Sequence, residues 1–339
     1  MGQSWELFNV DARRNFRDIS CAKVEGVLFY AEPNGLVSML AIPRKPKPYR
    51  LSRQRRSSEP RDLGALDVPL EILQLIIDNI DLDNIVDVAS LALTNTLLRT
   101  ICEKRIYKAM LLYHGTWSSQ RLVYVGQYLD GDDLPPGMLQ EHEKRELSGN
   151  KLDPNDCDIR VSRFFAAAYD AKGAYFKKSR WPAQFRRLHY ASNQVSPEDL
   201  IELDKMIAPD YSWDGKPETE WVLCNFTTAE FVRTSAIAKI TGSACNGPFT
   251  NENLGLGHAL LTQIGCNLSN NLRCDGMWHH GRWAGHRFAI TTVDRLQEHS
   301  VFRDKELVDV SNEVVEDVLN IWRCEFPEIL APEFSQAQT

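Results

Sequence analysis

The chain starts with a two-sided pattern in which Trp5, Leu7 and Asn9 alternate with Glu6, Phe8 and Val10. A two-residue period predicts a strand. Asp11-Ala12-Arg13-Arg14 then supplies turn chemistry and Asn15–Ile19 the return strand. Residues 26–42, GVLFYAEPNGLVSMLAI, predict a second hairpin turning at Pro33-Asn34-Gly35. The period changes after Asp67. Ile72, Leu73, Ile76, Ile77 and Ile80 recur at helical spacing, with Asp67 as the expected N-cap and Pro69 in the first turn. Leu91, Leu93, Leu97, Leu98 and Ile101 mark a second helix, which KRIYKAMLLYH continues. RLVYVGQYLDGDDLPPG returns to strand character. Further helices are predicted at VSRFFAAAYDAKGAYF, at SPEDLIELDKMI behind the start signal Ser196-Pro197-Asp199, and at NEVVEDVLNIWRCEF. The predicted class is α+β: a helical hairpin bundle joined to strand-rich modules with flanking helices.

Two phrases recur in order. WELFNVDARRNFR starts at Trp5 and WVLCNFTTAEFVR at Trp221, sharing tryptophan, leucine, asparagine and arginine at the same places. GTWSSQRL starts at Gly115 and GRWAGHRF at Gly281. Trp117 follows Trp5 by 112 residues, whereas Trp283 follows Trp221 by 62. The surplus is about the size of the helical block, so the pattern predicts a duplicated module whose first copy is interrupted by a helical insertion. Trp5 and Trp221 should then be equivalent in two similar sheets, as should Trp117 and Trp283. Asn9 and Asn225 are placed to satisfy turn backbone, and Arg121 and Arg287 to pair with a carboxylate or stack on tryptophan.

Composition adds boundaries. The stretch Arg44–Arg56 holds seven positive charges and no acid, and with Pro46 and Pro48 it reads as a disordered linker. A nuclear localisation signal and a phosphorylation switch at Ser57 or Ser58 are its functional readings. The expected organisation is residues 1–42 as the first strands of one module, 43–63 as linker, 64–110 as helical block, 111–150 as the rest of that module, and 151–339 as a C-terminal α+β module that binds a target. Over 339 residues the net charge is −7, which disfavours general attraction to nucleic acid. Eight cysteines without a CxxC pair suit free thiols in a reducing compartment, cytoplasm or nucleus. Glu6 and Asp11 interrupt any secretory signal, and Glu32 and Pro33 break the longest apolar run, so neither export nor a membrane span is expected.

Candidate chemistry is sparse. Cys266, Cys274, His279, His280 and His286 lack the paired spacing of zinc ligands. TGSAC lacks a nucleophile elbow, GLGHAL lacks a third phosphate-loop glycine, and DGDDLPPG lacks calcium-loop spacing. No catalytic residue, metal or cofactor is therefore expected. Trp213, Trp221, Trp278 and Trp283 leave open a second reading, a carbohydrate- or peptide-binding module with a structural helical hairpin.

The helical block carries the most specific signal. VPLEILQLIIDNIDLDNIVDVASLALTNTLLR resembles the F-box motif: Val68-Pro69 for the opening dipeptide, Glu71-Ile72 for the acid–aliphatic pair, Ile76 and Ile80 for the spaced aliphatics, Asp81-Leu82-Asp83 for the turn, and Ile85, Leu93, Thr94 and Leu97 for the second helix. The flanking phrases are similar to those of a group of fungal F-box proteins. The resemblance implies a non-catalytic substrate-recognition subunit of a Skp–cullin–F-box ubiquitin ligase. It also implies a Skp-type adaptor bound through Pro69, Ile72, Ile76, Ile80, Ile85 and Leu93, cullin reached through that adaptor, and a protein target held by the strand-rich modules.

Overall fold

The computed structural model describes residues 5–16, 33–46, 64–81, 85–126, 129, 134–149, 196–250, 254–266, 281–303 and 305–325. The chain forms two compact units, one of Met1–Ile42, Trp117–Gly173 and Tyr211–Thr339, the other of Pro43–Thr116 and Ala174–Asp210. In chain order, the first unit opens with β1 (Trp5–Asn9), β2 (Arg14–Asn15) and α1 (Asn34–Leu40). The second unit contributes α2 (Leu70–Asn79), α3 (Ile85–Thr94) and α4 (Thr96–Met110). The first resumes with β3 (Gln120–Gly126) and α5 (Glu141–Gly149), and the second adds α6 (Pro197–Ile207). The rest belongs to the first: β4 (Trp221–Asn225), β5 (Glu230–Arg233), α7 (Thr234–Ile240), β6 (Cys245–Asn246), β7 (Phe249–Thr250), α8 (Leu256–Ile264), β8 (Gly265–Cys266), β9 (Arg287–Thr292), α9 (Val293–Glu298), β10 (Val308–Asp309) and α10 (Ser311–Glu325). The class is α+β. No helix among the described residues is long and apolar enough to cross a membrane. The helix expected at residues 161–176, and most of the linker with Ser57 and Ser58, lie outside the described residues.

The repeat in sequence is a repeat in register. Phe8 faces Asn15 as Cys224 faces Phe231, and Trp5 faces Gly126 as Trp221 faces Thr292. Arg13 and Ala229, equivalent last residues of the two hairpin turns, share the left-handed region at φ 51° and 63°. The two copies do not build two sheets, however. They share one, in the order β10-β5-β4-β9-β3-β1-β2, with β8 beside β3. They meet where β3 runs antiparallel to β9 with Arg121 opposite Arg287, equivalent residues that mark an internal two-fold. The division expected between residues 150 and 151 is therefore not seen: strands from both sides of it hydrogen-bond into the same sheet.

A second correction concerns Asn34–Leu40, a helix and not the far arm of a hairpin. Leu36, Val37 and Leu40 recur at helical spacing and are all buried, and the Pro33 carbonyl accepts from Val37 N at 3.0 Å. The proline read as turn chemistry opens a helix instead. Leu260, Leu261 and Ile264 repeat the pattern in α8. Each helix delivers the next residue to the other copy's strand: Ala41 bridges Ile290 in β9, and Gly265 pairs with Tyr124 in β3, both in parallel. The copies are thus interlocked as well as adjacent.

Strand alternation sorts the core accordingly. On one face, Trp5, Leu7, Leu122, Tyr124, Trp221, Leu223, Phe288 and Ile290 join Trp117, Trp283 and the helices in a single cluster. The opposite face is split by copy, with Phe8, Val123 and Val125 in one cluster and Val222, Cys224 and Ala289 in another.

Gly281 seals the exit of α8, its N–H reaching Gly265 O at 2.7 Å. A Cβ there would lie 2.6 Å from that same oxygen and closer still to Gln263 O, both rigid backbone. Gly281→Ala should therefore cost about 1–3 kcal/mol in denaturant unfolding, since neither neighbour is a side chain that can move aside.

The second unit is a helical bundle. Leu73 and Ile77 from α2, Ile85, Val88 and Ala92 from α3, and Leu98, Ile101 and Ile106 from α4 close its core together with Leu203 and Ile207 of α6. Asn95 caps α4, accepting from Leu97 N at 2.8 Å. The sequence signal at Ser196 caps α6, the hydroxyl accepting from Asp199 N at 3.1 Å. Arg99 ties α4 to α6 through Glu202 at 3.0 Å. The expected helical block, residues 64–110, is thus completed by a helix about a hundred residues further on. At the head of α2 the capping position is Pro69, one residue before the first helical residue, and not Asp67. Its fixed φ of −52° and extended ψ of 145° suit the last non-helical position.

Candidate docking face of the helical unit

Ten residues form α2, and its apolar residues extend well beyond the buried arc, leaving Glu71, Gln74 and Asp78 together as the polar side. Leu73 and Ile77 take the buried arc, at 2% and 1% exposure. The outer arc retains Ile72 and Ile76 at 45% and Leu75 at 61%, with Leu70 at 52% near the start. Ile72, Leu75 and Ile76 follow the three- and four-residue spacing that stacks side chains into one stripe, headed by exposed Pro69. A helix with a single core to face would carry polar residues on that arc. Ordinary surfaces tolerate scattered aliphatics, and a row on one helix makes this arc the candidate docking face. The helix is acidic, with Glu71 and Asp78 and no lysine or arginine. Glu71 sits in the first turn, where the helix dipole favours it, and Asp78 accepts from Gln74 at 3.2 Å.

The six residues implied by the resemblance divide. Ile72 and Ile76 are exposed on α2 and Pro69 is exposed at its cap, while Ile80 just past its end is half-buried. Ile85 is different: at 2% exposure it belongs to the bundle core and is closed to a partner. Its position as the first residue of α3, turned inward, removes it from the candidate surface. Leu93 is half-buried against the same core. Leu75 is missing from the six although it is the most exposed of the row, and the helical spacing from Ile72 is the signal that finds it.

Other candidate chemistry is absorbed by the fold. Trp221 and Trp283 are buried in the shared core, Trp213 packs half-buried against it, and Trp278 lies outside the described residues. Cys266 is buried in the sheet, whereas Cys274, His279 and His280 lie outside the described residues. Among the described residues, no group of His, Cys, Asp and Glu is placed to hold a metal. Burial pushes the Cys102 thiol up to about 12 and Cys224 upward too, which keeps both protonated at neutral pH. The chain matches no protein-family model, no curated protein and no solved structure.

Proposed function

We propose that this protein is a non-catalytic substrate-recognition subunit of a Skp–cullin–F-box ubiquitin ligase. The observation that carries the reading is the exposed apolar row on α2, where Pro69, Ile72 and Ile76 coincide with the positions that the F-box resemblance assigns to the adaptor. A Skp-type adaptor would cover this row and connect the chain to cullin, while the duplicated sheet unit would hold the protein target. Such a subunit breaks no bonds. It raises the effective concentration of target lysines near the charged conjugating enzyme and fixes their orientation. The reading places the protein in the cytoplasm or nucleus, with no nucleic-acid or membrane partner and no cofactor.

Half-exposed aliphatics that become buried on binding contribute roughly 1 kcal/mol each. Replacing Pro69 and Ile72 together by Ala should weaken adaptor pull-down about tenfold or more and leave unfolding of the helical unit within about 1 kcal/mol of wild type. Undiminished adaptor binding by a folded double variant would reject the assignment.

A further inference from the structure

The two copies keep one hydrogen bond and change its acceptor. In the first, Asn9 Oδ1 accepts from Ala12 N at 2.9 Å, and its Nδ2 donates to Gln120 Oε1. In the second, Asn225 Oδ1 accepts from Thr227 N at 3.0 Å and Thr228 N at 3.4 Å, and its Nδ2 lies 2.9 Å from His286 Nδ1. Two backbone donors on Oδ1 decide which end of the amide faces the ring. Nδ2 must donate, so Nδ1 must be a bare acceptor, and the neutral ring carries its proton on Nε2. A second proton, on Nδ1, would point at the amide N–H and break the bond. Glutamine has no such state.

We propose that His286 is a proton-sensitive latch at the seam of the duplicated sheet: its protonation releases Asn225 and loosens the Phe226–Ala229 turn, while the Gln120 clasp of the first copy holds regardless of pH.

The charges around the ring permit this. From β5, Glu230 pulls toward protonation, but its carboxylate is already engaged by Arg282 at 2.9 Å, Trp283 Nε1 at 2.6 Å and Thr228 Oγ1 at 2.6 Å. Arg287, next on β9, directs its guanidinium to Asp11 and the Ser119 carbonyl, and Arg121 on β3 is held by Asp11 and Glu143. His299 packs on Phe226 and Lys305 reaches the Thr227 carbonyl at the outer side of the turn. Burial prevails over Glu230 and lowers the His286 pKa below the ordinary histidine value. The sign follows. Above about pH 6.5 the ring is neutral in folded and unfolded chains, and the latch contributes fully. As pH falls below that, the unfolded chain takes up a proton that the folded ring resists, and the folding constant drops about tenfold per pH unit until the folded pKa is reached.

The test follows amide exchange in the full chain at pH 7.5 and 5.5, corrected for intrinsic rates. Protection at Thr227 and Thr228 should fall at the lower pH, while that at Ala12 stays constant. In His286→Gln, which copies the first-copy partner, all three should stay constant. Equal responses in wild type and variant, or unchanged protection at Thr227 and Thr228, would overturn the proposal. Should the variant not fold, the imidazole nitrogen shifts of wild type decide: a proton on Nε2 at pH 7.5 supports the latch, and one on Nδ1 rejects it.

Discussion

Replacing Trp283 by Ala should destabilise the sheet unit by about 3–5 kcal/mol, and Trp117→Ala by a comparable amount, each in a single unfolding transition. Trp283 is fully buried, and its indole donates to Glu230 Oε2 at 2.6 Å while its backbone N–H reaches Gln263 O at 2.9 Å. Trp117 is its counterpart, 5% exposed, with N–H to Met39 O at 2.9 Å and Phe16 against its ring at 5.7 Å. Alanine keeps the backbone bond in both and empties a large volume that close-packed neighbours fill only in part. At position 283 it also leaves a Glu230 oxygen without its indole donor. The single transition is the more telling half of the expectation. Both rings sit in the one cluster shared by the copies, and each copy's helix pairs its next residue with the other's strand. Damage to either copy must therefore reach both. Denaturant melts followed by far-UV dichroism, with amide exchange in β1 and β4 as a local readout, measure this. A Trp283→Ala protein that keeps wild-type protection in β1 while losing it in β4 would contradict the interlocked architecture.

The repeat was legible because its matched residues do local work. Asn9 and Asn225 each satisfy backbone N–H groups two or three residues on, and the four repeated tryptophans fill the core, so their spacing survives in the sequence. The shared sheet was not legible. The β3–β9 seam joins residues far apart in sequence, and an edge that pairs with its own duplicate looks in sequence like an edge that pairs with nothing. Pro33-Asn34-Gly35 carries turn and helix-start chemistry at once, and burial of Leu36, Val37 and Leu40 on one side decides between them. On α2 the candidate stripe was legible in its spacing. The inward turn of Ile85 was not, since it depends on how α3 meets its neighbours. The contribution of α6 to the same bundle is a long-range fact with no local trace beyond a well-capped amphipathic helix.

The equivalent arginines at the seam should respond very differently to the same substitution. Arg121 and Arg287 face each other across β3 and β9, and the backbone N–H of each is held by the equivalent turn residue, Asp11 Oδ2 at 2.9 Å and Thr227 Oγ1 at 3.1 Å. A carboxylate in one copy and a hydroxyl in the other breaks the electrostatic symmetry. Asp11 pairs with both guanidinium groups, at 2.7 Å each. Arg121 in addition forms a two-pronged pair with Glu143, at 2.8 and 3.1 Å, and donates to Met138 O at 2.7 Å, with its side chain only 10% exposed. Arg287 is 42% exposed. Arg121→Ala strands a buried carboxylate and should cost about 3–5 kcal/mol, whereas Arg287→Ala removes a solvent-screened pair and should cost about 0–1 kcal/mol. The pH response should separate them as well. Burial alone would raise the Asp11 and Glu143 pKa values, but hydrogen bonds and charge from Arg121 outweigh it and hold both below the ordinary carboxylate range. Their contribution in wild type is thus present above about pH 4 and lost as the pH falls further. Without Arg121 the Glu143 carboxylate keeps only the Gln140 N–H at 2.6 Å and the charge of His142, and, buried without its main partner, it destabilises the variant most at neutral pH and least in acid. Unfolding of both variants measured from pH 4 to 8 should show the gap to wild type narrowing on acidification for Arg121→Ala and staying small throughout for Arg287→Ala. Equal losses from the two would mean that the seam is held by its backbone pairing, with the buried Glu143 contributing nothing that the exposed partner lacks.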